Sequence, residues 1–145
     1  MKKVLCLLWI LLAGACQAQD ENPDDGITPP TSPSRITEPR DLVIEAVGVT
    51  SLAARRPHPE CPDFKLSMDE VREFFREARE VDNGVYMHML DWSPCLVEGT
   101  LTLPNGDKAK WGIQQSRAGS VLQKSGESIF LYCARCTAKA FPPAE

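Results

Sequence analysis

Residues 96–114 can become little other than a β-hairpin, and the face that hairpin buries dictates what the rest of the chain must cover. The turn reads Leu103-Pro104-Asn105-Gly106-Asp107. Proline supplies the fixed φ of a type I turn, and Gly106 stands where the chain has to turn left-handed. Two registers compete. A two-residue Asn-Gly loop pairs Leu101 with Lys110 and Thr100 with Trp111, mixing apolar and polar side chains on both faces. A three-residue loop closing in a glycine bulge pairs Leu101 with Ala109, Gly99 with Trp111 and Val97 with Ile113. Register follows the buried face, because a slip of one residue inverts every side chain. The three-residue loop is therefore expected, with Val97, Leu101, Leu103, Ala109, Trp111 and Ile113 inward. Glu98, Thr100, Thr102, Lys108, Lys110 and Gln114 point outward in that register. Gly99 opposite Trp111 leaves room for the indole to lie across the neighbouring strand. Just upstream, Asp91-Trp92-Ser93-Pro94-Cys95 reads as a packed corner in which Trp92, Pro94 and Cys95 are buried.

The remaining elements follow from periodicity. Residues 67–81 predict a helix: Ser67 is the N-cap, Glu70 three residues on completes a capping box, and Leu66 can staple against Val71. Val71, Phe74, Phe75, Ala78 and Val81 form one apolar stripe, and Arg72, Glu73, Arg76, Glu77, Arg79 and Glu80 cover the rest as a solvated face. Gly84, after Asp82-Asn83, is expected to stop it. Residues 41–50 alternate and are β-branched, so they read as a strand. Residues 85–90 read as another, with Met87 and Met89 on one side and Tyr86, His88 and Leu90 on the other. Residues 120–123 and 128–133 form a second hairpin across Lys124-Ser125-Gly126-Glu127. Residues 51–63 read as a proline-rich loop whose Arg55 and Arg56 are solvated. The expected fold class is α+β: one amphipathic helix packed on a small antiparallel β-meander sheet, stapled by disulfides.

The N-terminal part is of a different kind. Lys2 and Lys3 precede a short apolar core at residues 4–12, too short for a stable membrane span, as in an export signal. Leu12-Ala13-Gly14-Ala15-Cys16 resembles a bacterial lipobox, departing from it at Ala13, where leucine is usual. That resemblance implies lipidation at Cys16; cleavage after Ala15 or Ala18 is the alternative. Residues 16–40 hold Pro23, Pro29, Pro30, Pro33 and Pro39, with Ile27 and Ile36 as the sizeable apolar residues. Such a stretch buries too little to offset its ordering entropy and is expected to be a disordered tether. The organisation expected is thus a signal peptide at 1–15, a Pro-rich tether at 16–40 and a single α+β domain at 41–140. With 145 residues and a net charge of −4, the chain suits one domain and carries no basic footprint for nucleic acid.

Four cysteines remain beyond the signal: Cys61, Cys95, Cys133 and Cys136. An even number in an exported domain reads as two disulfides. Three pairings are possible; a bond within Cys133-Ala134-Arg135-Cys136 is strained as a purely structural link, so long-range bonds are expected, Cys61 and Cys95 each taking one of the last two. A thioredoxin-like reading of the CxxC lacks the chain needed for the following helix and second βαβ half, since nine residues follow Cys136. Zinc usually needs two short-spaced pairs, and Cys61 and Cys95 are isolated. Tyr86-Met87-His88-Met89 with Trp92 carries soft donors suited to Cu(I), but on a strand His88 points away from both methionines. No metal or cofactor is therefore expected. His58 and His88 are the chain's two histidines, and no nucleophile elbow, zinc-protease or phosphate-loop motif occurs, so no catalytic residue is assigned.

The spacing Cys61-Pro62-x-Phe64, the helix, Asp91-Trp92-Ser93-Pro94-Cys95, Gly99, Trp111 and Cys133-x-x-Cys136 resembles a family of small exported proteobacterial proteins of unassigned function. The resemblance covers about residues 61–136 and implies a fold, not an activity. By analogy of class, it suggests a non-enzymatic binding or inhibitor module, immunity proteins included, on the periplasmic side of a membrane. Its expected partners are another protein and a membrane reached through a lipid on Cys16. A thiol-redox or soft-metal-handling protein is the rival reading.

Overall fold

The computed structural model describes residues 28–51, 54 and 57–143. The expected signal, Cys16 and the Arg55-Arg56 pair lie outside them. Among the described residues the strands are β1 (Ser32–Pro33), β2 (Arg40–Thr50), β3 (Arg79–Val81), β4 (Cys95–Thr102), β5 (Lys108–Gln114), β6 (Ala118–Leu122) and β7 (Ser128–Tyr132). Helices α1 (Met68–Glu77) and α2 (Asn83–His88) and a 3-10 turn at Cys61–Asp63 complete the fold. The seven strands make one antiparallel sheet in the order β1-β3-β7-β6-β5-β4-β2. Strands β4 to β7 form the meander; β2 flanks one side, and β3 with β1 the other.

The first hairpin has the expected register: Leu101 pairs with Ala109, Gly99 with Trp111 and Val97 with Ile113. Gly106 is left-handed at φ 92°. The indole of Trp111 lies over Gly99, where a Cβ would come within 2.7 Å of the ring and 1.8 Å of the Val43 carbonyl oxygen. Its Nε1–H donates to the Thr100 carbonyl at 3.0 Å, so the buried ring leaves no polar atom unpaired. Two outward assignments are corrected. Thr102 is covered by β2 and donates to the Asp41 carboxylate at 2.9 Å, and Gln114 is buried on the second face of the sheet.

Helix α1 connects β2 to β3, which sit toward opposite sides of the sheet, so it crosses the face bearing Trp111 and Ile113. Phe75 meets Trp111 edge-on at 5.9 Å, and Phe74 lies so close to Gly119 that a Cβ there would be 2.8 Å from the ring. Val71, Phe74 and Phe75 are fully buried. Each such side chain contributes roughly 1.5–3 kcal/mol relative to exposure. The capping box is formed: the Glu70 N–H donates to Ser67 Oγ at 3.3 Å, and the Ser67 N–H to Glu70 Oε2 at 2.7 Å. The packed stripe therefore outweighs the cap, and Ser67→Ala should lower stability by about 1 kcal/mol. A lower denaturation midpoint at an unchanged m-value would register that loss.

The helix ends earlier than its periodicity predicts. Ala78 turns extended (φ −65°, ψ 148°), and Arg79, Glu80 and Val81 pair with Tyr132, Leu131 and Phe130. Otherwise β7 would present unpaired backbone at that edge, and edge pairing overrides helix propensity. Gly84 consequently does not end α1; it lies inside α2.

Residues 85–90 are not a strand, because Asp82 is a second N-cap whose carboxylate accepts the Val85 N–H at 2.8 Å and starts α2. The tether also ends sooner than expected. Ile36 is buried in the core, β1 pairs with β3, and the Arg35 guanidinium grips the Glu80 carboxylate at 3.0–3.1 Å, a contact that raises the Arg35 pKa. A buried isoleucine, a short strand pairing and the Arg35 ion pairs thus dock residues whose proline content suggested disorder. At the other end Phe141 is buried, beyond the expected boundary at 140, and packs 6.1 Å from Phe64.

Candidate functional site

Helix α1 covers one face of the sheet. On the other face α2 covers a corner, with Tyr86 stacked on Phe130 at 4.4 Å. The remainder of that face is an open basin of about 500 Å³. Its floor is Leu96 and Glu98 of β4, Lys110, Gly112 and Gln114 of β5, and Ser120 and Leu122 of β6. Tyr86 stands on one side and Glu45 of β2 on the other.

A polar network crosses the Tyr86 side of the basin. Gln114 Nε2 donates to the Tyr86 hydroxyl at 2.9 Å. Gln114 Oε1 accepts from the Ser93 N–H at 3.1 Å and from Ser116 Oγ at 3.3 Å. Burial raises the pKa of Tyr86 from 10.0, and its hydrogen bonds to Ser120 and Gln114 oppose that shift. A neutral phenol at physiological pH can both donate and accept a hydrogen bond. Tyr86→Phe removes a partner of the buried Gln114 amide and should cost about 1–3 kcal/mol. Because the folded-state pKa lies above the unfolded one, the Tyr86 contribution is complete below 10.0 and fades as pH rises through the folded value. Stability measured against pH should therefore fall less steeply in Tyr86→Phe than in the wild type above pH 10.0.

Two large apolar side chains that the sheet does not cover stand beside it, Met87 at 61% exposed and Trp92 at 58%, and Met89 nearby in the chain is 46% exposed. This corrects the strand placement of the methionines and the expected burial of Trp92. The methionines do not fill the core, because α2 turns them outward, and Trp92 is not part of a packed corner. Ser93 and Cys95 pack that corner instead, with Ser93 Oγ accepting the Cys95 N–H at 3.2 Å. A smaller cleft of about 120 Å³, lined by Met87, Leu90, Asp91 and Trp92, shares Tyr86 and Gln114 with the basin. Basin, network and apolar rim are thus one continuous surface.

The chain matches no family model, no curated protein and no solved structure. The site is therefore read from its own chemistry.

The cysteine connectivity differs from expectation. Cys61 bonds Cys95, and Cys133 bonds Cys136. Cys61 and Cys95 are brought together because β2 pairs with β4 and the turn at Cys61–Asp63 packs on β2, which leaves the CxxC to close on itself. All four are buried. Beyond Cys136 no helix follows among the described residues; the chain runs to Phe141, held by Arg117, whose guanidinium donates to the Cys136 carbonyl at 3.2 Å and lies 5.4 Å over the Phe141 ring. Among the described residues the CxxC therefore does not open a helix, as it does in thioredoxin-like dithiol enzymes. One further group joins the long-range disulfide: the donor atoms of His58, Cys61 and Cys95 lie within 4.8 Å of one another.

Sequence reasoning missed Tyr86, Ser93, Gln114 and Ser116. Asp82-Asn83-Gly84-Val85 carried a readable cap signal for α2, and with it the placement of Tyr86. Nothing local marked Gln114, whose covering partners come from 21 and 28 residues away.

Proposed function

We propose that this protein is a non-enzymatic binding module that engages another exported protein through the open face of its sheet. The observation that carries the reading is the surface made by the basin, the Tyr86-Gln114 network and the exposed Met87 and Trp92. Tryptophan and methionine are enriched at interface cores, and contiguous apolar exposure on a small domain marks an interaction site. Fixed hydrogen-bonding groups behind such a rim supply orientation and selectivity. An inhibitor or immunity role on the periplasmic side of a membrane, with a lipid on Cys16, fits a module of this kind. Two closed, buried disulfides favour staples over a cycling dithiol.

The test is residue-specific crosslinking in cells that export the chain. A photoreactive residue at Met87 should give a discrete protein adduct that Trp92→Asp suppresses, while the same probe at Arg72 on the outer side of α1 should give none. Equal labelling from both positions would remove the reading. The anchor is checked separately: Cys16→Ser should abolish fatty-acid labelling and release the chain from membranes.

A further inference from the structure

We propose that His58, Cys61 and Cys95 form a redox-gated site for one thiophilic d10 cation, Zn(II) or Cu(I). The site is shut while Cys61–Cys95 is a disulfide and binds metal once that bond is reduced. The proposal goes beyond the binding-module reading and does not depend on it.

The donor set is three soft or borderline groups converging from two elements. His58 and Cys61 are three residues apart on one turn, with the Cys61 N–H donating to the His58 carbonyl at 3.2 Å. This is the short ligand spacing that metal-binding turns use. Cys95 comes from the first residue of β4. Their donor atoms lie within 4.8 Å of one another. A cation bound at about 2.0–2.3 Å to each needs donors roughly 3.5–4 Å apart, which side-chain rotation reaches from here. Two thiolates and an imidazole select Zn(II) or Cu(I) over harder cations.

The backbone carrying these groups is held independently of the sulfur–sulfur bond. The Cys95 N–H is tied to Ser93 Oγ and its carbonyl to the Gln115 N–H at 3.1 Å. The Cys61 carbonyl accepts the Phe64 N–H at 3.0 Å. Gly48 of β2 lies directly on this turn: a Cβ there would be 2.5 Å from the Cys61 carbonyl oxygen. Reduction therefore leaves both thiols facing each other. His58 is exposed, which leaves the outer coordination position to solvent.

The chemistry balances. A dithiol supplies two electrons and two protons and leaves as its own disulfide; the Cys61–Cys95 bond breaks and two thiols form. Metal binding then releases both thiol protons to solvent, and neutral His58 donates its ring lone pair.

The experiment uses the mature chain carrying Cys133→Ser and Cys136→Ser, so that one thiol pair remains, with a phosphine as reductant to avoid a competing dithiol. Zn(II) and Cu(I) are titrated separately against a chromophoric competitor, and Co(II) serves as a spectroscopic stand-in. The oxidised protein should bind neither cation, and the reduced protein should bind one equivalent; the tighter cation identifies the metal. Adding His58→Ala should weaken binding at least roughly tenfold and change the Co(II) spectrum. Should the serine variant fail to fold, the same His58→Ala comparison in the fully reduced wild type still reads the site, since the Cys133 and Cys136 thiols are common to both arms. Binding indifferent to His58→Ala, equal binding by the oxidised chain, no binding of either cation, or loss of the sheet's circular-dichroism signal on reduction would each overturn the proposal.

Discussion

Phe75→Ala should cost roughly 3–5 kcal/mol, among the largest single-residue losses expected outside the disulfides. Phe75 is fully buried and edge-on to two rings, Phe74 at 5.8 Å and Trp111 at 5.9 Å. Removing it loses the transfer energy of the ring and also opens a cavity between helix and sheet. That gap cannot collapse easily. Trp111 is fixed by its hydrogen bond to Thr100 and by the bare backbone of Gly99 beneath it, and Phe74 is wedged against Gly119. Chemical denaturation reads the loss directly. A change below about 1 kcal/mol would mean that α1 is not docked on the sheet, because no buried phenylalanine leaves so cheaply.

Removing the Cys61–Cys95 bond by paired serine substitution should be of comparable size. The bond joins residues 34 apart, and the chain-entropy relation for such a loop gives about 4 kcal/mol. The same relation gives about 2 kcal/mol for Cys133–Cys136, whose separation is 3. Thermal melting of the two paired variants should therefore rank them with the Cys61–Cys95 variant lower. The reverse order would show that the CxxC closure, clamped by Arg117 against the Phe141 tail, holds more of the fold than its loop length implies.

The parts of this molecule that were legible in the sequence are those whose driving force is local. The hairpin at 96–114 was readable down to its register, because Gly106 sets the turn and one register alone sorts the apolar side chains onto one face. The start of α1 was readable because Ser67 and Glu70 cap each other within one turn. Gly126, left-handed at φ 90°, marks the second hairpin for the same reason.

Apart from the strand expected at residues 85–90, where the local Asp82 cap went unread, the errors share a different cause: a partner distant in sequence changed the local answer. Arg79, Glu80 and Val81 continue a helical stripe, yet the open edge of β7 draws them into the sheet. Ile36 sits in a segment whose proline content argues against order, yet a gap in the core accepts it. Gln114 alternates outward in its strand, yet α2 brings Tyr86 across the second face and covers it. Cys61 had three possible partners by composition, and the β2–β4 pairing selected Cys95.

The sequence by itself determined the class of fold, the central hairpin, the helix start and the number of thiols, because backbone conformation and side-chain periodicity act over a few residues. Tertiary structure alone decided which sulfurs meet, where α1 stops, and that Met87 and Trp92 end beside a polar basin. Those outcomes depend on which edges and faces remain uncovered once the sheet has formed, and no local stretch of chain carries that information.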